Sequence, residues 1–298
     1  MKRRNLKSGM RTTHVLVLVL VALLMPPPAG AQQRPLDTQD PEPVGAGRVA
    51  VESGVSYARD VVYPLSGLRG DLYQAPLIDV AVGVSPIAAI ELSGGPYDRL
   101  RISARQAAPL AGSARIIGGA THAVDDLVIG MKLRVVPETA ARPAFAVRFA
   151  VRLPNAKHTS GLGQDTTDFT ASVLAGKAVA GWRAVGNLGV TIMSEPLNAA
   201  AQNDVLMYGA SLTRPVGRRV SLVGEANGRL STRPGDAPVG TESRAMLRLG
   251  GRYRTGRIQY DLSVARGLTA FDPSFGVAVG VRLVWKAFAL PAETADDH

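Results

Sequence analysis

The chain has 298 residues, with 34 Lys and Arg against 24 Asp and Glu, a formal net charge of +10, and no cysteine. Without thiols there can be no disulfide, no thiolate metal site and no lipid-bearing N-terminal cysteine, so stability in an oxidising compartment must come from backbone pairing and packing. The first 31 residues hold five basic and no acidic residues, so the remainder carries +5 and a nucleic-acid-binding reading loses most of its support.

Lys2, Arg3, Arg4, Lys7 and Arg11 form a basic head. An apolar run from Val15 to Met25 follows, then Ala29-Gly30-Ala31. That order predicts a secretory signal peptide over 1–31, cleaved near Ala31. As a membrane anchor the run is too short, because eleven helical residues span roughly 16 Å, about half of a hydrocarbon layer. Residues 32–47, rich in Pro, Gly and charge, read as a flexible periplasmic leader, and 289–298 as a C-terminal tail. Between them no linker divides the chain, and no later apolar stretch approaches the length of a spanning helix. If the body, 48–288, sits in a membrane, it must do so as a closed barrel.

Side chains alternate with period two along that body. Strands are predicted at 48–57, 75–84, 87–104 (broken near Pro96), 124–136, 144–154, 167–178, 182–193, 203–214, 219–231, 244–254, 257–268 and 275–287. In the clearest of them Ala245, Leu247, Leu249, Gly251 and Tyr253 oppose Arg244, Met246, Arg248, Gly250 and Arg252. A helix would scatter Leu247, Leu249 and Tyr253 around its circumference, so the strand reading wins. Twelve strands, an even count, predict an all-β fold: a transmembrane antiparallel up-and-down β-barrel with both ends in the periplasm. The strands are long enough to cross a bilayer when tilted, which a soluble sandwich does not require.

The expected outer loops, 58–74, 105–123, 155–166, 194–202, 232–241 and 269–274, are longer than the expected periplasmic turns, 85–86, 137–143, 179–181, 215–218 and 255–256. Trp182, Tyr253, Tyr260 and Trp285 fall on the apolar face near the periplasmic rim, where an aromatic girdle belongs. The last strand, with Val277, Val279, Val281, Leu283 and Trp285 in one row, resembles the C-terminal strand that the barrel-assembly machinery recognises.

The rows opposite the apolar ones would face the lumen. They carry Lys132, Arg134, Arg148, Arg152, Arg183, Arg219, Arg229, Arg244, Arg248, Arg252, Arg254, Arg257 and Arg282 against Asp126, Asp168, Glu225, Glu242 and Asp261. Thirteen bases over five acids predict a cationic interior favouring anions. Small residues at Gly130, Ala146, Ala150, Gly209, Gly250, Gly276, Ala278 and Gly280 leave room for a narrow channel.

Leu153-Pro154-Asn155, then Gly161-Leu162-Gly163-Gln164-Asp165-Thr166-Thr167-Asp168-Phe169, and the strand Trp182 to Gly189 resemble the outer-membrane barrel transporter family labelled "MetA-pathway of phenol degradation". The resemblance is best over 124–193 and loose elsewhere. It implies a barrel concerned with uptake of small, often aromatic or hydrophobic compounds, and carries over no catalytic residue. Physically, the glycines and Asp165-Thr166 suit a tight loop that re-enters a strand at Asp168.

No catalytic constellation, metal-ligand spacing or cofactor motif is found. His158 near Ser160 lacks a local orienting group and an oxyanion site. The expected function is a channel or transporter for small, anionic or aromatic solutes in the outer membrane of a Gram-negative bacterium. The competing expectation is a side-chain-filled barrel with a structural or surface-interaction role. Outer-membrane lipid and the assembly machinery are the expected partners, with no nucleic acid.

Overall fold

The computed structural model describes residues 36–289. The signal peptide, residues 32–35 of the leader and all but the first residue of the tail lie outside the described residues. Every described residue belongs to one compact unit.

The sheet elements are β1 (Arg48–Tyr63), β2 (Leu68–Gly83), β3 (Ala88–Gly94), β4 (Asp98–Arg105), β5 (Ala120–Ala123), β6 (Leu127–Val136), β7 (Ala144–Leu153), β8 (Asp168–Val179), β9 (Trp182–Glu195), β10 (Asn198–Pro215), β11 (Val220–Ser231), β12 (Arg244–Thr255), β13 (Ile258–Gly267) and β14 (Phe275–Lys286). β2 pairs with β4 through its first half and with β3 through its second. β3 then pairs with β6, and β4 with β5. β3 with β4, and β5 with β6, are therefore each one wall position broken in the middle, and the fourteen segments make twelve barrel strands. β1 bonds β2 on one side and β14 on the other, which closes the ring. The fold is a closed, twelve-stranded antiparallel β-barrel, and closure leaves the short β5 as the segment paired on one side alone among the described residues.

One rim, here the near rim, carries Arg48 paired with Lys286, and the opposite one is the far rim. Two expected far-side loops are corrected. The 58–74 loop shrinks to 64–67, because β1 and β2 run on past the expected strand ends. The 194–202 loop shrinks to 196–197, because β9 and β10 do the same. The period of two lapses in the first case because pairing slips between Gly54 and Ser56 and again between Ala58 and Val61, with Asp60 at a positive φ of 58°. The length contrast survives in the loops at 106–119, 154–167 and 232–243, while the far-side loop 268–274 only equals the longest near-side turn, 137–143.

Leu188, Leu249, Leu262 and Val279 lie on the outside with about half or more of their surface open. The buried set instead includes Glu52, Glu91, Lys132, Asp168, Glu225, Asp261 and Arg282. Apolar-out and polar-in is the reverse of a water-soluble fold and suits a lipid surround.

Candidate functional site

The leader is the largest departure from the sequence reading. Residues 36–47 were expected as a flexible segment outside the barrel, yet Leu36, Thr38, Asp40 and Val44 are all at most 4% exposed. Val44 packs with Ala50 and Ala81 at the near rim. The chain then climbs the lumen. Glu42 pairs with Arg134, and Asp40 accepts from Arg183 Nη2 at 2.8 Å and Nε at 2.9 Å. Gln39 meets Lys132 at 3.0 Å, and its backbone N–H donates to Asn187. Thr38 donates to Glu225, and Asp37 accepts from Arg248 at 2.9 Å and from Asn227 at 3.0 Å. Small wall residues make the seat: a Cβ on Gly209 would lie 2.7 Å from Thr38 Oγ1. The small residues read as room for a channel partly make room for this strap.

The expected excess of bases is also corrected. Wall acids outside the five counted, Glu52, Glu91 and Glu138, and the leader's Asp37, Asp40 and Glu42 all face inward bases. Lys132 and Arg148 share Glu91, Arg183 takes Asp40 and Glu138, Arg248 takes Asp37 and Glu225, and Arg282 takes Glu52. Arg252 lies opposite Asp261 in register. Arg257 and Arg219 stand exposed in the near-side turns, so neither lines the lumen as expected. Glu138, in the turn 137–143, is pushed up by partial burial, but the Ala178 N–H and Arg183 outweigh that and hold it below the usual carboxylate value.

At the far end Arg152 is the hub. It bonds Asp126, Asp168 and Thr166 Oγ1, the last at 3.3 Å. The loop 154–167 folds around it. Gly161, at φ 77°, caps a short 3₁₀ turn over His158–Ser160 and accepts from Ser66 Oγ at 2.7 Å. Gly163 runs so close to Ala156 that a Cβ would lie 1.7 Å from its carbonyl oxygen. Asp165 pairs with His158. This is the stretch that carries the family resemblance, and it leans inward rather than standing free: Leu162 packs against Val61, Leu68, Leu72 and Leu100.

Two of the cavities among the described residues meet in the lumen. One, of about 370 Å³, is lined by Asp37–Gln39, Arg148, Met207, Asn227, Arg229, Arg244 and Met246 among others. The second, of about 320 Å³, is lined by Val61, Tyr63, Leu65, Arg152, Leu162, Asp168, Met193, Arg229 and Arg244 among others. Arg229 and Arg244 line both. They are register partners on β11 and β12, directly opposite each other. Arg229 donates to the carbonyls of Glu242 at 2.9 Å and Gly240 at 3.2 Å. Among the described residues neither arginine is in an ion pair, and Arg244 Nε is buried with no acceptor. Nothing in the sequence pattern distinguished these two from the other lumen arginines.

On the outer face, Tyr253 and Tyr260 are register partners near the near rim, Trp285 faces Val49 there, and Arg214 lies 4.9 Å over the Trp182 ring. The described residues hold no cluster of His, Cys, Asp or Glu fit for a metal.

A closed barrel, apolar outside and polar within, with even strand number and both strand ends at one rim, is the architecture of outer-membrane barrels. The chain is similar in fold to the COG4313 outer membrane channel from Pseudomonas putida F1, with a TM-score of 0.57 at 15% identity over 88% of this chain and 100% of that one. More distant likenesses are to the NanC porin, at TM-score 0.48, 8% identity, 79% of this chain and 98% of that one, and to the translocator domain of the autotransporter NalP from Neisseria meningitidis, at 0.42, 11%, 92% and 95%. These two are too remote to add to the first. No protein-family model matches the chain, and no curated protein matches it.

Proposed function

We propose that the protein is an outer-membrane channel for small organic solutes, with a lumen narrowed by its own N-terminal leader, and that it catalyses no reaction. The observation that carries this is the pair of cavities that meet at Arg229 and Arg244 above the leader tip. A filled structural barrel would have no use for that space. The fold shared with the COG4313 outer membrane channel supports the reading. Lipid contact through the outer apolar rows, anchoring by Trp182, Tyr253, Tyr260 and Trp285, delivery by the assembly machinery through β14 and export after cleavage near Ala31 belong to the same proposal. The cavity sizes fit solutes no larger than a substituted benzene ring, at the low end of small-molecule sites.

The second reading, a closed barrel without transport, is favoured by the ion pairs that hold the leader to the wall. Purified protein in planar bilayers separates the two. Discrete conductance steps are expected. Their absence both in the full mature chain and in a variant lacking residues 36–42 sinks the channel reading.

A further inference from the structure

The geometry points to Arg229 and Arg244 as a carboxylate-binding subsite for amphipathic organic acids, a proposal that deepens the channel reading and rests on it. Like charges directly opposite on neighbouring strands, with Cβ atoms about 5 Å apart, destabilise a sheet. Elsewhere in this lumen the wall resolves that conflict with acids: Arg148 and Lys132 share Glu91, and Arg152 lies between Asp126 and Asp168. Arg229 and Arg244 have no such acidic partner within the described residues: Arg229 Nη1 reaches only the Met193 Sδ at 3.5 Å, and both arginines line the two cavities.

Two of the nearby acids are already engaged. Asp168 accepts from Arg152 and from the Ser194 N–H, and Asp272 from Ala245, Thr269 and its hydroxyl. Glu242 accepts the Gly240 N–H on Oε1, keeps Oε2 buried without a hydrogen-bond partner, forms no ion pair with either arginine and lines neither cavity. The guanidinium donors of Arg244, and those Arg229 does not give to the two carbonyls and the Met193 Sδ, are left for an incoming anion. Two guanidinium forks suit a carboxylate, which takes paired N–H donors in its plane.

The opposite wall supplies the other half of the recognition. In the far cavity Val61, Tyr63, Leu65 and Leu162 face the arginines, with Met193 beside them. A solute with its carboxylate on the pair and its ring or short chain on that wall satisfies both. An inorganic anion leaves the apolar wall in water, and a neutral aromatic leaves the arginines unmet.

The test uses the full mature protein folded in detergent, with heat-modifiable gel migration as the fold control. Calorimetric titration with sodium benzoate is compared with benzyl alcohol and sodium acetate. Benzoate is expected to bind, and both others to bind roughly tenfold more weakly or worse. Arg229→Gln and Arg244→Gln are each expected to weaken benzoate by roughly tenfold. Arg219→Gln and Arg257→Gln, at exposed turn positions, are expected to leave it unchanged. Equal binding of benzyl alcohol, or undiminished benzoate binding in both lumen variants, overturns the subsite. Benzoate binding in a protein that never conducts would keep the subsite and sink the channel. Conductance insensitive to benzoate, in a protein that does not bind it, would keep the channel and sink the subsite.

Discussion

The two ends of the lumen are built on different plans. In the near half, wall bases and leader acids alternate, so Arg134, Arg183 and Arg248 are each matched by a carboxylate from Glu42, Asp40 or Asp37. In the far half, an apolar wall around Val61, Leu68, Leu72 and Leu100 faces Arg152, Arg229 and Arg244, and among the described residues only the first of these is in an ion pair. Charge in the near half fastens the chain to itself. Charge in the far half is left partly open. A count of charges along the sequence cannot separate the two, because what matters is which charges find partners.

The sharpest way to break the contrast is to remove the strap. Deleting residues 36–42 is expected to raise single-channel conductance by roughly threefold or more, since flux follows the open cross-section of the lumen. An unchanged conductance would mean the leader does not set the narrow point. Next in size, Arg152→Ala leaves Asp126 and Asp168 without their cation. It is expected to cost about 3 kcal/mol, read from denaturant unfolding in lipid vesicles and reduced because Arg152 keeps some solvent contact. It should also free the loop 154–167 to proteases.

A smaller effect is expected for Gly163→Ala, where the new methyl meets the Ala156 carbonyl. About 1–3 kcal/mol of strain should appear as loop movement, visible as faster proteolysis with the barrel intact. The smallest is a pH effect on the near half. The folded-state value of Glu138 is lowered, so its hold on Arg183 is present above the ordinary carboxylate range. That hold is lost as pH falls from about 5 through the lowered value. A fluorescent label at residue 39 should gain mobility over that window, and Glu138→Gln should remove the transition. A label that stays fixed throughout would show that Arg183 and Asp40 suffice without it.

Much of the barrel was legible because its signal is local. Ala245 to Tyr253 against Arg244 to Arg252 states a strand, its lipid face and its lumen face within ten residues. β1 beyond Tyr57 was not legible, since a bulge and the positive φ of Asp60 throw the alternation out of step. The leader was illegible for the opposite reason. Pro, Gly and acid in a short segment satisfy every criterion for disorder until the arginines that receive them are known. Those sit 92 to 211 positions further along, for Glu42 with Arg134 and Asp37 with Arg248. The same distance explains the miscounted interior: Glu91 on β3 meets Arg148 on β7 over the intervening β6, 57 positions along the chain, where sequence neighbourhood says nothing. The candidate subsite needed both corrections. Arg252 and Arg254 also lack an ion pair among the described residues, and Arg229 and Arg244 stand out because they alone of these line the two lumen cavities.

The leader's seat also implies an order of events. Asp37 and Thr38 can find Arg248 and Glu225 only after β11 and β12 exist side by side, yet these residues precede the whole barrel in the chain. On the export route proposed above, some of the first residues to leave the inner membrane are therefore among the last to settle. Until they do, the ring of strands is complete but its bore is wide. The protein passes through an unstrapped form each time it is made.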